Sequence, residues 1–245
     1  MPTAAVRAIG QIRSLVNRAG FDLTRENFRY RFVHGLAQHG ITAVLDIGAN
    51  TGQFGRALRR AKFAGRIVSL EPLPAAFEEL LTHARADAHW TAERAAVSDH
   101  AGALRINVAG NSVSSSALPM LDRHATAAPG SRYVATQDVV ATTVDDIVTR
   151  HALVPESTLL KIDVQGYEKS VLDGAANSLP GFGAVRTEMS LVALYDGQAL
   201  LPEIIERLGE CGLDLWFVEP GFVEPGTRRL LQLDGTFFRR DVGVA

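Results

Sequence analysis

The run Ala43-Val44-Leu45-Asp46-Ile47-Gly48-Ala49-Asn50-Thr51-Gly52 decides how this chain is read. Its first five residues, four of them apolar, suit a buried strand, and its small-residue end suits a tight turn into a helix beginning near Gly52. A second apolar run, Arg66-Ile67-Val68-Ser69-Leu70, ends at Glu71, nineteen residues past Gly52, and closes a βαβ unit. A pyrophosphate at such a turn needs glycines that bring it to the backbone N–H groups of a helix start, and a carboxylate beside it would repel it. Here the spacing is Gly48-x-x-x-Gly52, Asp46 precedes it, and no Lys or Arg lies between Ala43 and Phe54. The expected ligand therefore carries a ribose, no phosphate and a positive charge. S-adenosylmethionine meets these conditions, with Glu71 gripping its ribose diol and the Asp46 end of the loop facing its ammonium and sulfonium.

Composition sets wider bounds. With 245 residues and 47% hydrophobic content, the chain can bury one full α/β core. Residues 1–40 read as an N-terminal helical extension and 41–245 as the single domain. Twenty-five basic against 27 acidic side chains leave a net charge of −2, which supplies no basic field for nucleic acid. One cysteine, Cys211, excludes an intramolecular disulfide and fits a reducing, cytoplasmic setting. No apolar run approaches the roughly 18 residues that span a bilayer. Ala5, Ile9, Ile12, Leu15 and Val16, with Arg7, Arg13 and Arg18, describe a basic amphipathic helix. Packing on the domain or on a second copy of the chain, giving a homo-oligomer, is its expected use, with a membrane surface as the alternative.

Further along, Thr24 or Asn27 caps a predicted helix through Leu36 that ends near Gly40, and Gln53 to Lys62 forms the crossover helix. Pro74 opens the next helix, and a third strand is expected over His89 to Val97. Leu104 to Val108 alternates like a half-exposed strand. Ala109 to Tyr133 shows no periodicity and reads as a long binding loop or mobile lid. Thr158 to Val164 repeats the opening grammar of buried strand, acid, turn and helix, the helix stopping near Gly174. A strand over Ala184 to Glu188, a helix over Pro202 to Leu208, and two strands hairpinned across the duplicated Val-Glu-Pro-Gly turn complete the chain. Such alternation implies a mainly parallel sheet covered on both faces.

Four segments resemble the FkbM family of S-adenosylmethionine-dependent methyltransferases. They are Val44 to Gly52; Ser69-Leu70-Glu71-Pro72; Ala96-Val97-Ser98-Asp99 with Gly102; and Leu160-Lys161-Ile162-Asp163-Val164-Gln165-Gly166-Tyr167-Glu168, running on to Leu172 and Gly174. The resemblance implies a Rossmann-like class I methyltransferase fold, a seven-stranded mostly parallel sheet with an antiparallel last strand, and O-methylation of a hydroxyl, often on a sugar or a polyketide-type product. Gln165 stands where many relatives have Glu.

Ligands of open α/β sheets lie beyond the carboxyl ends of the strands, which sets the expected roles. Gly48 and Gly52 shape the loop beneath the methionine moiety and Asn50 hydrogen-bonds it. Glu71 takes the ribose, and Ser98 and Asp99 meet the adenine edge. An alcohol needs its proton removed to attack, so Asp163 and Glu188 are the candidate catalytic carboxylates. Asp163 also counts among the donor-binding residues. The pair acts as base and orienting partner or jointly holds Mg²⁺; for Glu188, an ion pair with Arg186 or Lys161 is the plain alternative. Ser115 and Tyr195 are candidates for hydrogen-bonding a polyhydroxyl acceptor, His124 for a mobile base, and Trp90 and Trp216 for core. No histidine spacing suggests zinc. The leading acceptor is a sugar hydroxyl on a glycolipid or glycosylated metabolite. A polyketide hydroxyl, an NAD-dependent oxidoreductase and a non-catalytic cofactor binder remain the alternatives.

Overall fold

Residue alternation decides which side of each strand meets which helix layer. In β1 (Ala43–Ile47) all five residues are buried: Val44 joins one apolar cluster, while Leu45 and Ile47 join the other. A strand covered on both faces reads as a continuous apolar run, which is why 43–47 stands out in the sequence. The structure, a computed structural model, describes residues 28–240. The expected basic helix of residues 1–20 and the capping positions Thr24 and Asn27 lie outside the described residues.

The described chain runs through α1 (Phe28–Gln38), β1, α2 (Gln53–Arg60), β2 (Arg66–Leu70), α3 (Pro74–Arg85), β3 (Trp90–Glu93), β4 (Ala96–Val97), β5 (Gly102–Ala109) and α4 (Asp122–Ala127). It continues through β6 (Tyr133–Thr142), α5 (Val144–Arg150), β7 (Thr158–Ile162), α6 (Glu168–Asp173), β8 (Ala184–Ser190), α7 (Leu201–Glu210), β9 (Leu213–Pro220) and β10 (Gln232–Arg239). Seven strands form the main sheet in the order β3-β2-β1-β7-β8-β10-β9. The first five are parallel, and β10 inserts antiparallel between β8 and β9. This is the Rossmann-like arrangement that the resemblance implies. The strand order reverses between β1 and β7, so a crevice opens there at the carboxyl ends of the strands.

Local chemistry explains the elements. Pro74 at the start of α3 gives up an N–H that had no helical partner. Gly40, with φ of +66°, ends α1, and Ile41 N–H donates to the Leu36 carbonyl at 2.9 Å. Phe32 and Leu36 of α1 are buried in the same cluster as Val44, Leu159 and Phe238, each such side chain contributing about 1.5–3 kcal/mol of apolar burial. A Cβ on Gly55 would sit 2.3 Å from Trp90 Cζ2, so the bare glycine is what lets α2 lie against the indole.

Several expectations change. Ala96 and Val97 leave the main sheet to pair with Ala141 and Thr142, and the span expected as one strand over His89 to Val97 divides into β3 and β4. The second surprise is β6, which pairs antiparallel with β5 to build a three-stranded sheet, β4-β6-β5. Most β6 side chains are exposed or half-buried, Val134 and Val140 each at 70%, and so no buried alternation marked the strand in the sequence. The long segment before β6 is strapped down rather than loose. Asn107 and Ser116 exchange backbone hydrogen bonds, Ser116 Oγ donates to the Gln165 carbonyl at 2.6 Å, and Tyr133 OH donates to that of Leu118 at 2.7 Å. Trp90 is core as expected. Trp216 is 44% exposed, because β9 is the sheet's edge strand, and its ring meets His39 edge-on.

Candidate active site

The turn after β1 is built by backbone geometry. Gly48 has φ of +71°, and a Cβ there would lie 1.9 Å from the Asp163 carbonyl oxygen, so no other residue fits. Asn50 follows at φ of +46°, and its N–H donates to Glu71 Oε2 at 2.9 Å. The other oxygen, Glu71 Oε1, accepts from Leu73 N–H at 2.9 Å. Two main-chain donors from separate loops thereby aim a carboxylate that is only 5% exposed. Burial pushes the Glu71 carboxyl up to about 7, against the pull of those two hydrogen bonds.

A cavity of about 500 Å³ opens in front of this group, a size that suits a small ligand. Gly48, Ala49, Asn50, Glu71, Pro72 and Leu73 line one end together with Ala95, Ala96 and Val97. Lys161, Asp163, Gln165 and Tyr167 stand at the crevice between β1 and β7, with Arg186, Glu219 and Asp234 beyond them. Ser112, Val113, Ser115, Ser116 and Ala117 of the strapped segment roof it.

Lys161, expected from the sequence only as an alternative partner of Glu188, pairs with Asp46 and Asp163 instead. The side chain is buried, 3.1 Å from Asp46 Oδ1 and 3.5 Å from Asp163 Oδ2, and it donates to the carbonyls of Ile47 and Gly48. Burial works against its charge, but Asp46 and Asp163 outweigh it and hold its pKa above the usual lysine range. The signal was present: Lys161 is the one charged residue in the strand Thr158-Leu159-Leu160-Lys161-Ile162, and a buried charge needs partners. Asp46 accordingly changes role. It is fully buried, salt-bridged to Lys161 and hydrogen-bonded by Ser69 Oγ at 3.0 Å, and it does not line the cavity. Glu71 and Asp163, not Asp46, supply negative charge on the cavity side of the turn.

Asp163 keeps 40% of its side-chain surface open and lines the cavity. Gln165 Nε2 donates to Asp163 Oδ1 at 2.9 Å and to Glu188 Oε2 at 3.1 Å, and Gln232 Nε2 donates to the same Glu188 oxygen at 2.7 Å. Burial first, and then the neighbouring Asp163 carboxylate, push the Glu188 carboxyl well above its ordinary range. The strand ends thus bring Asp163 and Glu188 together, but Glu188 sits behind the amide and off the cavity wall. It pairs with neither Arg186 nor Lys161: Arg186 holds Glu219 at 2.6 Å and Asp234 at 2.9 Å instead. The described residues contain no group of three or more His, Cys, Asp or Glu able to hold a metal, and the structure gives Mg²⁺ no support.

Several expected contacts move. Gly52 caps α2 in the left-handed region against Leu80 and Trp90, away from the cavity. Asn50 lines the cavity; its Oδ1 accepts from Thr51 N–H and Gln53 Nε2, while its backbone N–H aims Glu71. Ser98 is buried, its hydroxyl shared with Asp99 and the Tyr167 hydroxyl, and Asp99 is exposed beside His100; Ala95 to Val97 line the cavity in their place. Ser115 does line the cavity, although its Oγ also donates to the Ser112 carbonyl and accepts from Ala109 N–H. Tyr195 is 0% exposed and cannot meet an acceptor: its ring packs under Gly166 and its hydroxyl reaches Gln165 Oε1 at 3.0 Å. His124 is likewise no mobile base, being buried between Tyr195 and Phe222, and burial lowers its pKa.

The family model of the methyltransferase FkbM domain matches residues 46–215. None of the curated proteins matches the chain. Among solved structures, it is similar to the N-methyltransferase NodS from Bradyrhizobium japonicum WM9, at 12% identity over 89% of this chain and 99% of that one, with a TM-score of 0.45. Precorrin-6y C5,15-methyltransferase from Geobacter metallireducens GS-15 aligns at 13% identity over 89% and 90% of the two chains, TM-score 0.45. Magnesium protoporphyrin IX methyltransferase from Synechocystis PCC 6803, with bound SAM, aligns at 12% over 94% and 96%, TM-score 0.44.

Proposed function

The chain belongs to the FkbM family of methyltransferases, and from that premise we propose that it transfers the methyl group of S-adenosylmethionine to a hydroxyl, the leading acceptor being a sugar on a glycolipid or glycosylated metabolite. The observation that carries this reading is Glu71: a nearly buried carboxylate, aimed by two main-chain N–H groups into a cavity that also holds Asp163.

The residues fit the donor. Both Glu71 oxygens retain lone pairs, so its ionised form accepts two adjacent ribose hydroxyls. The cavity wall carries four carboxylates, Glu71, Asp163, Glu219 and Asp234, against two cations, Lys161 and Arg186. Both cations already hold carboxylates, an arrangement that favours a cationic ligand over a phosphorylated one and argues against a dinucleotide. When bound, S-adenosylmethionine supplies an electrophilic methyl group on a sulfonium.

The chain's own task is alignment and the management of one proton. Asp163 reaches the cavity while Lys161 and Gln165 fix its two oxygens, and it is the group positioned to accept the hydroxyl proton. Glu188, behind Gln165, is an orienting partner rather than a second base. Glu219 and Asp234, braced by Arg186, offer acceptors to sugar hydroxyls, and the half-buried ring of Phe54 offers apolar surface to a sugar face. The single cysteine accords with a reducing, cytoplasmic setting.

Incubating purified protein with methyl-labelled donor and a glycolipid fraction tests the reading. Label should enter a sugar methyl ether, and Asp163→Asn should slow its appearance by about 10²-fold or more. Label in an amine, or none with any hydroxylated fraction, would refute O-methylation.

A further inference from the structure

We propose that Gln165 is a positioning residue whose amide clamps Asp163 to Glu188 and takes the place of a divalent cation between them, so that the site orients its base without a metal. The inference rests on the reading of Asp163 as the base.

Two carboxylates at the ends of adjacent parallel strands repel each other unless a cation, a proton or a hydrogen-bond donor separates them. Here one nitrogen does so, with Gln165 Nε2 at 2.9 Å from Asp163 Oδ1 and 3.1 Å from Glu188 Oε2. The amide has one sensible orientation. A flip would set its carbonyl oxygen against both acids, whereas the observed Oε1 accepts from Tyr195 OH at 3.0 Å. The backbone is arranged to aim it: Gln165 adopts φ of +56°, a conformation costly for a residue with a side chain, and Gly166 follows at +94° over the Tyr195 ring. Ser116 Oγ fastens the Gln165 carbonyl at 2.6 Å.

Other groups complete the surroundings. Lys161 of β7 faces Asp163 Oδ2, Gln232 of β10 donates to Glu188, and Asp234 of β10 and Glu168 of α6 add negative field. A neutral amide satisfies both acids, contributes no charge and transfers no proton. Asp163 thus stays the sole acid at the cavity wall on this turn, held by a donor on each oxygen.

The test uses full-length protein and Mn²⁺ alone, followed by electron paramagnetic resonance, with S-adenosylhomocysteine calorimetry on the same samples. The unaltered protein and Gln165→Met should leave Mn²⁺ free at millimolar concentration. Gln165→Glu places a third carboxylate at the junction and should take up one Mn²⁺, which the added change Asp163→Asn should release. Chelator should leave methyl transfer by the unaltered protein unchanged. Mn²⁺ uptake by the unaltered protein that disappears with Asp163→Asn would overturn the proposal. So would a Gln165→Glu protein that binds S-adenosylhomocysteine normally yet ignores Mn²⁺. Failure of the underlying reading is separate, since it appears as an unaltered protein that binds no S-adenosylhomocysteine. A Gln165→Glu protein that does not fold leaves the unaltered and Gln165→Met arms to decide.

Discussion

The two ends of the cavity are built by different means. At the β1–β2 end, Gly48, Asn50 and Glu71 lie within 24 residues of one another, and main-chain N–H groups do the aiming. At the β7–β10 end, side chains hold side chains across five strands: Lys161 holds Asp46 and Asp163, Gln165 and Gln232 hold Glu188, and Arg186 holds Glu219 and Asp234. A backbone cradle tolerates many side chains but few changes of conformation. A side-chain network is the reverse, since each member can be replaced without disturbing the chain but leaves a buried partner unmet. The first design suits an invariant ligand such as the donor, and the second suits an acceptor and the proton it gives up.

Substitutions should separate the two ends, beginning with the largest effect. Asp163→Asn is expected to lower turnover by about 10²- to 10⁴-fold, the range of a lost general base, while calorimetry shows S-adenosylhomocysteine binding within about threefold of the original. Equal losses of binding and turnover would place Asp163 in the donor cradle instead. Gly48→Ala should cost about 2–4 kcal/mol of stability in urea unfolding, through a Cβ driven into the Asp163 carbonyl and a forced left-handed conformation. Glu71→Ala should weaken S-adenosylhomocysteine binding by about 1–3 kcal/mol with little effect on turnover at saturating donor. Ser115→Ala removes two loop hydrogen bonds, one to the Ser112 carbonyl and one from Ala109 N–H, and should cost about 1–2 kcal/mol in thermal unfolding, with the donor constants unmoved.

Acidity sharpens the same contrast. The Glu71 carboxyl, at about 7 in the folded protein against an ordinary 4.5, is protonated in the native state where the unfolded chain is ionised. Native stability of the ligand-free protein therefore falls as pH rises from 4.5 through about 7, the native state binding more protons across that window. Donor binding runs the other way, because only the carboxylate accepts both ribose hydroxyls. Unfolding curves with and without S-adenosylhomocysteine should consequently diverge as pH increases.

How much could be read in advance follows from the same division. The donor end was legible because strand, turn and Glu71 are contiguous, so hydrophobic run and glycine spacing report the geometry directly. Even there Asp46 misled. Its charge was visible at 43–52, but its neutralising partner Lys161 lies 115 positions away and meets it only when β1 pairs with β7. The far end depends on β10 slotting antiparallel between β8 and β9, which brings Gln232, Asp234 and Glu219 beside Arg186 and Glu188. No local pattern encodes that neighbourhood. Ser98 and Asp99 failed differently, as a hydrogen-bonded Ser-Asp turn looks the same in sequence whether it faces a ligand or solvent. Tyr195 shows that an aromatic hydroxyl near the site can serve Gln165 rather than an acceptor.

The central claim is that Glu71 grips the ribose of a phosphate-free donor, and calorimetric titration of S-adenosylhomocysteine across pH 5.5 to 8.5 tests it most directly. Binding should tighten as pH rises through about 7 and then level off, a pH dependence that Glu71→Gln abolishes along with about tenfold or more of the affinity. Binding indifferent to both pH and Glu71, or heat with NAD and none with S-adenosylhomocysteine, would contradict it.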